Sequence, residues 1–179
     1  MQLETARLTL RPLEIGDVED LLEYQSDFQT VAYIPWPQRT REQVRDALVV
    51  SIAATEFEKD DDYKLFGWSL KSSGKIIGQS NISIDSKLHS RAEIGWVINP
   101  AFKGHGYALE ATRAVIGAAF KELGFRRVTA YIDQRNLASI KLARSLGMRL
   151  EGSFLEDEYF KQEWTSAHLF AILASEWKE

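Results

Sequence analysis

The chain has 179 residues, of which 45% are hydrophobic and 27% are charged, as in an ordinary globular domain. It has no cysteine and only three widely separated histidines, so it offers no disulfide, no thiolate nucleophile and no spacing typical of a metal site. The net charge of −4 argues against a general nucleic-acid binder, and no stretch approaches the roughly 18 apolar residues that cross a membrane.

The first third of the chain is predicted to hold one strand, two helices and an aromatic loop. Its opening, MQLETARLTLRPL, lacks the basic start and apolar run of a secretion signal, so we expect a cytoplasmic protein. Asp17 and Thr40 are the expected helix N-caps, and the prolines of YIPWP exclude a helix interior there. The strand is expected over 2–12, the helices over 18–25 and 41–59, and the loop over 33–37.

The rest of the chain is predicted to mix runs of strands with single helices. A hairpin turn is expected at Ser72-Ser73-Gly74, and Gly124 and Gly147 are expected to end helices. This order indicates a mixed α/β (α+β) fold with a single domain over 1–179. Strands are expected over 63–71, 75–84, 91–99, 127–132, 148–160 and 164–174, and helices over 107–123 and 137–146.

The segment between Glu93 and Ala111 carries the clearest functional pattern. A strand enters a loop, Lys103-Gly104-His105-Gly106, and a helix begins at once. Glycines let the backbone approach a ligand, and the free N–H groups at a helix start favour an anion such as a pyrophosphate. Residues 99–149 also carry a net charge of +6, which leaves −10 for the remainder, although a solvated helix surface explains this clustering equally well.

Two common nucleotide-binding motifs are not matched by this loop. The Walker pattern Gly-x-x-x-x-Gly-Lys-Ser/Thr is absent. The Rossmann pattern needs a glycine where Leu109 stands, and an acidic residue on a second parallel strand about 20 residues later. A Rossmann oxidoreductase therefore remains only as a disfavoured alternative.

The loop resembles the pyrophosphate loop of the GNAT N-acetyltransferases, in the branch of the RimJ/RimL-like ribosomal-protein N-terminal acetyltransferases. That family's motif is Gln/Arg-x-x-Gly-x-Gly/Ala, and here it reads KGHGYA, with Lys103 in the first place. Other family features are matched in the same order over essentially the whole chain. They are the opening LETARLTLRPLEIGDVEDLL, the acceptor-side loop YIPWP, the strand EIGWVI, and Asn136-x-x-Ser139 followed by Leu146-Gly147-Met148.

The resemblance implies a strongly twisted mixed sheet of about seven strands, with a splayed middle strand and about four flanking helices. It implies transfer of an acetyl group from acetyl-coenzyme A (acetyl-CoA) to a primary amine by direct attack, without a metal. In the family, backbone groups of the splayed strand pair with the pantetheine arm, and loop amides hold the pyrophosphate. The implied cofactor-binding residues are Trp96, Val97, Ile98, Lys103, Gly104, His105, Gly106, Tyr107, Ala108, Asn136 and Ser139.

The implied catalytic groups are Ser139, which would protonate the departing thiolate, and a base that would deprotonate the amine. Glu93 on the splayed strand is the first candidate for the base, and an edge-facing strand charge is an equal alternative. Asp85, Asp133 and Tyr131 are weaker candidates.

Tyr33 and Trp36 are expected to wall the acceptor pocket. The resemblance favours a protein N-terminal amine as acceptor. A small-molecule amine (a polyamine, an aminoglycoside or an amino acid) and a non-catalytic acyl-CoA sensor remain as alternatives. We expect no nucleic-acid or membrane partner, and the sequence leaves monomer or homodimer open.

Overall fold

A mixed sheet of eight strands runs through the molecule in the computed structural model, which describes residues 1–178. Glu179 of the predicted domain therefore lies outside the described residues. The strands are β1 (Leu3–Glu4), β2 (Leu8–Arg11), β3 (Tyr63–Leu70), β4 (Ile76–Ser86), β5 (Arg91–Ile98), β6 (Arg127–Asp133), β7 (Arg149–Phe160) and β8 (Glu163–Leu173). Their order in the sheet is β1-β2-β3-β4-β5-β6-β8-β7, and β5 and β6 form its parallel pair.

Helices cover both faces of this sheet. They are α1 (Val18–Gln25), α2 (Phe28–Val31), α3 (Arg41–Ala53), α4 (Tyr107–Lys121) and α5 (Leu137–Ser145), with short 3₁₀ segments at Ile15–Asp17, Pro100–Phe102 and Ala174–Glu176. Side chains alternate between the two faces of a strand, so neighbouring residues of β4 enter different cores. Ile76 packs with α1 and α3, while Ile77 packs in the larger cluster with α4. The mixed α/β architecture is confirmed.

Two elements exceed the predicted count of about seven strands and four helices. The expected strand over 2–12 is divided into β1 and β2, because Thr5 turns the chain and its N–H donates to the Leu8 carbonyl at 2.9 Å. The additional helix α2 is capped by Asp27, whose carboxylate accepts a bond from the Thr30 N–H at 2.7 Å. A single helical turn of this kind has no periodic signal in the sequence.

Thr40 caps α3 as predicted, in a reciprocal pair of hydrogen bonds with Gln43. The predicted end of this helix near residue 59 is wrong, because α3 ends at Ala53. The Asp62 carboxylate instead accepts the backbone N–H groups of Glu58 and Lys59, so local polar bonds replace helical ones.

Asp17 occupies the expected N-cap position of α1, but its side chain does not cap the helix. It forms a two-pronged ion pair with Arg11, with both N–O distances at 2.8 Å, and it accepts the Glu14 N–H at 2.7 Å. The pair fastens the start of α1 to the end of β2.

The feature that positions the functional site is the separation of β5 from β6. β5 pairs with β4 along its whole length, but its parallel pairing with β6 covers only Arg91 to Glu93. Beyond Glu93 the two strands diverge and leave a wedge between them, so the predicted splayed middle strand is confirmed. Within residues 1–178, no helix is both long and apolar enough to cross a membrane.

Gly78 is required where β4 passes beneath the buried ring of Trp68. A Cβ built on Gly78 would lie 2.4 Å from Trp68 Cε3 and 2.7 Å from the Val97 carbonyl oxygen. We predict that Gly78→Ala lowers the free energy of unfolding by about 1–3 kcal/mol, measured by urea denaturation. Gly16→Ala is the control, because no atom lies within 4 Å of its Cβ, and it should change stability by less than about 0.5 kcal/mol. Equal stability of the two variants would contradict this packing.

Candidate active site

Two cavities meet at the wedge between β5 and β6. The first cavity has a volume of about 660 Å³ and is lined by the 103–109 segment and by the start of α5. The second cavity, about 430 Å³, lies toward the 33–39 loop and the facing strands. They share six lining residues, which together are called the neck: Tyr33, Ile34, Trp96, Val97, Asn136 and Ser139. A molecule in one cavity can therefore approach a molecule in the other at these residues.

The floor of the first cavity is the glycine loop that opens α4. Gly104 and Gly106 have φ angles of 83° and 79°, in the left-handed region that favours glycine. No protein atom lies within 4 Å of a Cβ built on Gly104, so the space in front of the loop is open. Gly106 provides no side-chain cap, and the first N–H groups of this 15-residue helix remain available to an anion.

Arg7 braces this loop from the neighbouring strand end, a contact that the sequence analysis missed. Its Nη1 donates to the His105 carbonyl at 2.9 Å, its Nε bonds Glu110 at 2.7 Å, and its guanidinium lies 4.2 Å from the Tyr107 ring centroid. Burial raises the pKa of Glu110, but hydrogen bonds from Thr5 and Arg7 outweigh that effect, and the net pKa is lowered. The Glu110 carboxylate is therefore ionised when it bonds Arg7, and Arg7 in turn holds the loop.

The predicted cofactor residues gather around the first cavity, with one exception. Ten of them line it: Trp96, Val97, Ile98, Lys103, Gly104, Gly106, Tyr107, Ala108, Asn136 and Ser139. His105 is exposed, and its ring lies 6.0 Å from that of Tyr107.

Ser139 is held at the neck by two hydrogen bonds. The Asn136 side chain accepts the Ser139 backbone N–H at 3.1 Å and caps α5, while the Trp96 indole N–H donates to Ser139 Oγ at 3.2 Å. Only a backbone role was expected for Trp96, but its side chain also bridges the wedge from β5 to α5. Since an indole N–H can only donate, Ser139 is the acceptor in this bond and keeps its own O–H free.

Glu93 lines the second cavity with a carboxylate that has no hydrogen-bond or ion-pair partner among residues 1–178. Its side chain is exposed to solvent through the open cavity, although protein atoms crowd around it. The resulting desolvation raises the pKa of Glu93, and the charges of Asp85 and Glu158 raise it further. A carboxylate of this kind suits acceptance of a proton.

The weaker candidates for the base are already engaged. Asp85 pairs with Arg91 at 2.8 Å, and Asp133 pairs with Arg135 at 2.7 Å. Tyr131 donates its O–H to Asp157, and its pKa is raised by desolvation first and then by this bond. A phenol with a raised pKa is a poor base at neutral pH.

Tyr33 and Trp36, the two aromatic residues expected on the acceptor side, lie in different parts of the site. Tyr33 is at the neck and lines both cavities, with the Arg135 guanidinium 5.5 Å from its ring centroid. Trp36 lines the second cavity, and its ring contacts Arg39 at 4.9 Å. Within residues 1–178, no group of three or more histidine, cysteine, aspartate or glutamate side chains is arranged to hold a metal ion.

Glu93 gives a stability prediction whose sign follows from its raised pKa. A carboxyl group whose pKa is higher in the folded state favours folding most at low pH, and this contribution is lost as pH rises through the folded pKa. We therefore expect Glu93→Gln to be more stable than the wild type at pH 7.5, with the difference shrinking toward pH 4, in urea denaturation. Glu58→Gln, at an exposed loop residue, is the control. A less stable Glu93→Gln at pH 7.5 would contradict the desolvated environment of this carboxylate.

Comparison with known proteins places this geometry in a family. Residues 7–149 match the model of the acetyltransferase (GNAT) domain. The uncharacterized N-acetyltransferase YnaD of Bacillus subtilis is 32% identical over 177 residues, which cover 99% of each chain. The crystal structure of a GNAT-family acetyltransferase from Bacillus anthracis has a TM-score of 0.89 at 31% identity, and the match covers 98% of this chain and 100% of that one.

More distant solved structures share the fold. A spermidine N-acetyltransferase from Vibrio cholerae, in complex with CoA and spermine, has a TM-score of 0.81 at 19% identity, with 96% and 98% of the two chains covered. RimL, a ribosomal L7/L12 α-N-protein acetyltransferase in complex with coenzyme A, has a TM-score of 0.83 at 18% identity, with 97% and 98% covered. The chain belongs to the GNAT N-acetyltransferases and is an acyltransferase that depends on acetyl-CoA.

Proposed function

We propose that the chain acetylates a primary amine in a ternary complex, with acetyl-CoA in the first cavity and the amine in the second. The observation that carries this proposal is the shared neck, where Ser139 from α5 and Trp96 from β5 stand between the two cavities. Two substrates, one in each cavity, can meet there. Direct attack of the amine then needs no covalent enzyme intermediate.

The backbone direction of β5 supports the binding of the pantetheine arm in the wedge. The Asn99 N–H bonds the Ile77 carbonyl of β4 at 2.8 Å. Because successive residues of a strand alternate in direction, the N–H groups of Trp96 and Ile98 point the other way, toward the wedge. These groups suit an extended amide chain that binds as an added strand.

The glycine loop suits the pyrophosphate of the same molecule. The amides from Gly104 to Ala108 surround the open space at the start of α4, and Lys103 adds a positive charge beside them. Lysine replaces the Gln or Arg of the family motif and acts as a point charge without a planar fork. In this proposal, Arg7 keeps the loop in its binding shape through the His105 carbonyl.

The reacting groups are assigned from the polar side-chain atoms at the site that no protein partner occupies. Glu93 accepts a proton from the amine, directly or through one water molecule, and the neutral nitrogen forms a bond to the thioester carbonyl carbon. As the carbon–sulfur bond breaks, the free O–H of Ser139 gives its proton to the sulfur, and the serine oxygen regains a proton, through water, from the nitrogen that has become positively charged on addition. The Trp96 indole N–H stabilises the serine oxygen during this step.

For the acceptor, we place a protein N-terminal amine first, as in a RimJ/RimL-like enzyme. The shared fold with RimL and the net charge of −10 outside residues 99–149 support this choice, since a negative surface attracts cationic amines. A small-molecule amine is the second candidate, because the fold is also that of a spermidine acetyltransferase. A sensor without turnover is disfavoured, because a sensor would need neither Ser139 nor an unpaired Glu93.

Gly104 tests the cofactor assignment with a matched control. Gly104→Ala and Gly74→Ala both place a Cβ at a positive φ with no atom within 4 Å, so each should cost about 1 kcal/mol of stability. Only Gly104 lines the first cavity, and we expect only its variant to weaken acetyl-CoA binding, on the order of tenfold. Calorimetric titration with acetyl-CoA, beside NADH and ATP, measures this. Equal affinities in both variants, or binding of NADH alone, would overturn the assignment.

Ser139 and Glu93 are tested by kinetics with a panel of N-terminal peptides and small amines. We expect Ser139→Ala to lower kcat about tenfold or more while the KM for acetyl-CoA stays within about twofold. Glu93→Gln should lower kcat by about 100-fold and remove the decline of wild-type activity at acidic pH. Ser26→Ala, at a serine that bonds the Leu22 carbonyl on the surface, is the control. A wild-type pH profile in Glu93→Gln would exclude Glu93 as the base.

A further inference from the structure

The second cavity contains two unpaired charges of opposite sign. The Glu93 carboxylate forms no ion pair among residues 1–178, and the Arg39 guanidinium forms none either. Arg39 is half-buried, and burial without any compensating carboxylate lowers its pKa. Other charged groups at the cavity are neutralised, since Asp133 pairs with Arg135. A buried charge is costly unless it meets a partner, so an unpaired guanidinium in a substrate cavity calls for an explanation.

A chain of hydrogen bonds that starts at Arg39 determines the orientation of two buried side-chain amides, those of Gln25 and Gln79. Arg39 can only donate, so the bond of 2.9 Å from its Nη1 shows that Gln25 presents Oε1 to it. Gln25 Nε2 then donates to Gln79 Oε1 at 3.1 Å, and the buried Tyr24 O–H donates to the same oxygen at 2.8 Å. The orientation of Gln79 follows, because its oxygen is used by both donors.

The Nε2 of Gln79 is consequently free to face the second cavity, which Gln79 lines. It donates to no protein atom within the described part of the chain, residues 1–178. Arg39 lines the same cavity, stacks on Trp36 and has further N–H groups that no protein atom within residues 1–178 accepts. The Trp36 indole N–H is buried and has no partner. This corner of the cavity therefore offers the donors of Arg39 and Gln79, which complement a carboxylate.

The corner lies near the neck. Gln79 is paired with Val97 in the sheet, and Val97 lines both cavities. Glu93 is four residues away on β5, about 13 Å along the strand. An acceptor that places a second polar group on Arg39 while its amine approaches Glu93 would therefore lie along the second cavity, which both residues line.

We propose that the amine acceptor also carries a carboxylate, which binds Arg39 and the Gln79 amide in the second cavity. The proposal rests on the function given above and adds the substrate class. A polyamine does not fit this corner, because it would bring a second cation against an unpaired guanidinium. The carboxylate belongs either to a free amino acid or to an acidic side chain near a peptide N-terminus, and both sources share the same chemistry.

The test compares carboxylates with their carboxamides. One probe set is the ω-amino acids from glycine to 6-aminohexanoate, each paired with its carboxamide, so that the spacing between amine and carboxylate varies. The other is a C-terminally amidated tripeptide with Asp or Asn at its second position. With wild-type protein we expect kcat/KM to favour the carboxylate about tenfold or more in at least one set. Spermidine is the cationic comparison.

Arg39→Gln should abolish this preference while leaving the KM for acetyl-CoA unchanged. Arg41→Gln, at an exposed arginine that pairs with Glu19, should retain it. A binding readout independent of turnover is the ¹⁵N indole resonance of Trp36, assigned with Trp36→Phe, in protein saturated with coenzyme A. The carboxylate probe should shift this resonance in the wild type and in Arg41→Gln, but not in Arg39→Gln.

The outcomes separate the two proposals. A preference confined to the ω-amino acids supports a small-molecule acceptor, and one confined to the peptides supports a protein N-terminus followed by an acidic residue. Equal use of carboxylates and carboxamides by the wild type, or a preference for spermidine, overturns the inference while the acetyltransferase function stands. If no amine is acetylated, the proposed acceptor chemistry fails, and the Trp36 resonance still decides whether carboxylates bind this corner.

Discussion

The structure depends on β5, which stays paired with β4 throughout but leaves β6 after Glu93. A sheet that opens internally exposes backbone N–H and C=O groups that must find partners. The wedge also sets the start of α5 opposite β5, so that Trp96 and Ser139 can bond across the gap. The same divergence therefore creates the open strand edge, the two cavities and the neck that joins them.

The two cavities carry different charged groups, and each therefore attracts a different kind of ligand. The first cavity combines a helix start, a glycine loop and Lys103, all of which favour an anion. The second cavity contains an unpaired carboxylate and an unpaired guanidinium, and desolvation acts on both. Unpaired charges in a cavity lower the stability of the folded state unless a ligand supplies their partners.

Local features of the sequence predicted much of this molecule. The Thr40 cap, the hairpin turn at Gly74 and the glycine loop depend on residues a few positions apart, and each formed where the pattern indicated. Contacts between distant residues were not accessible in the same way. Arg7 reaches Glu110 over 103 positions, and Arg39 reaches Gln25 only because the loop returns to α1. Aspartate often caps helices, but the Asp17 carboxylate forms an ion pair with an arginine at the end of β2 instead of capping α1.

The acceptor is harder to predict from the sequence than the cofactor, because the two cavities are built from different kinds of structural elements. The first cavity is built on one strand–loop–helix unit, whose geometry follows from glycines and a helix start. The second cavity draws on the 33–39 loop, on α3 and on the four strands from β3 to β6. The β7–β8 hairpin, whose pairing is irregular between Phe154 and Glu158, adds charges from outside this lining. This irregularity accompanies the approach of Asp157 to Tyr131 and of Glu158 to Glu93. Substitutions in the loop or hairpin can therefore change the charge around the amine without disturbing the wedge that holds the acyl donor.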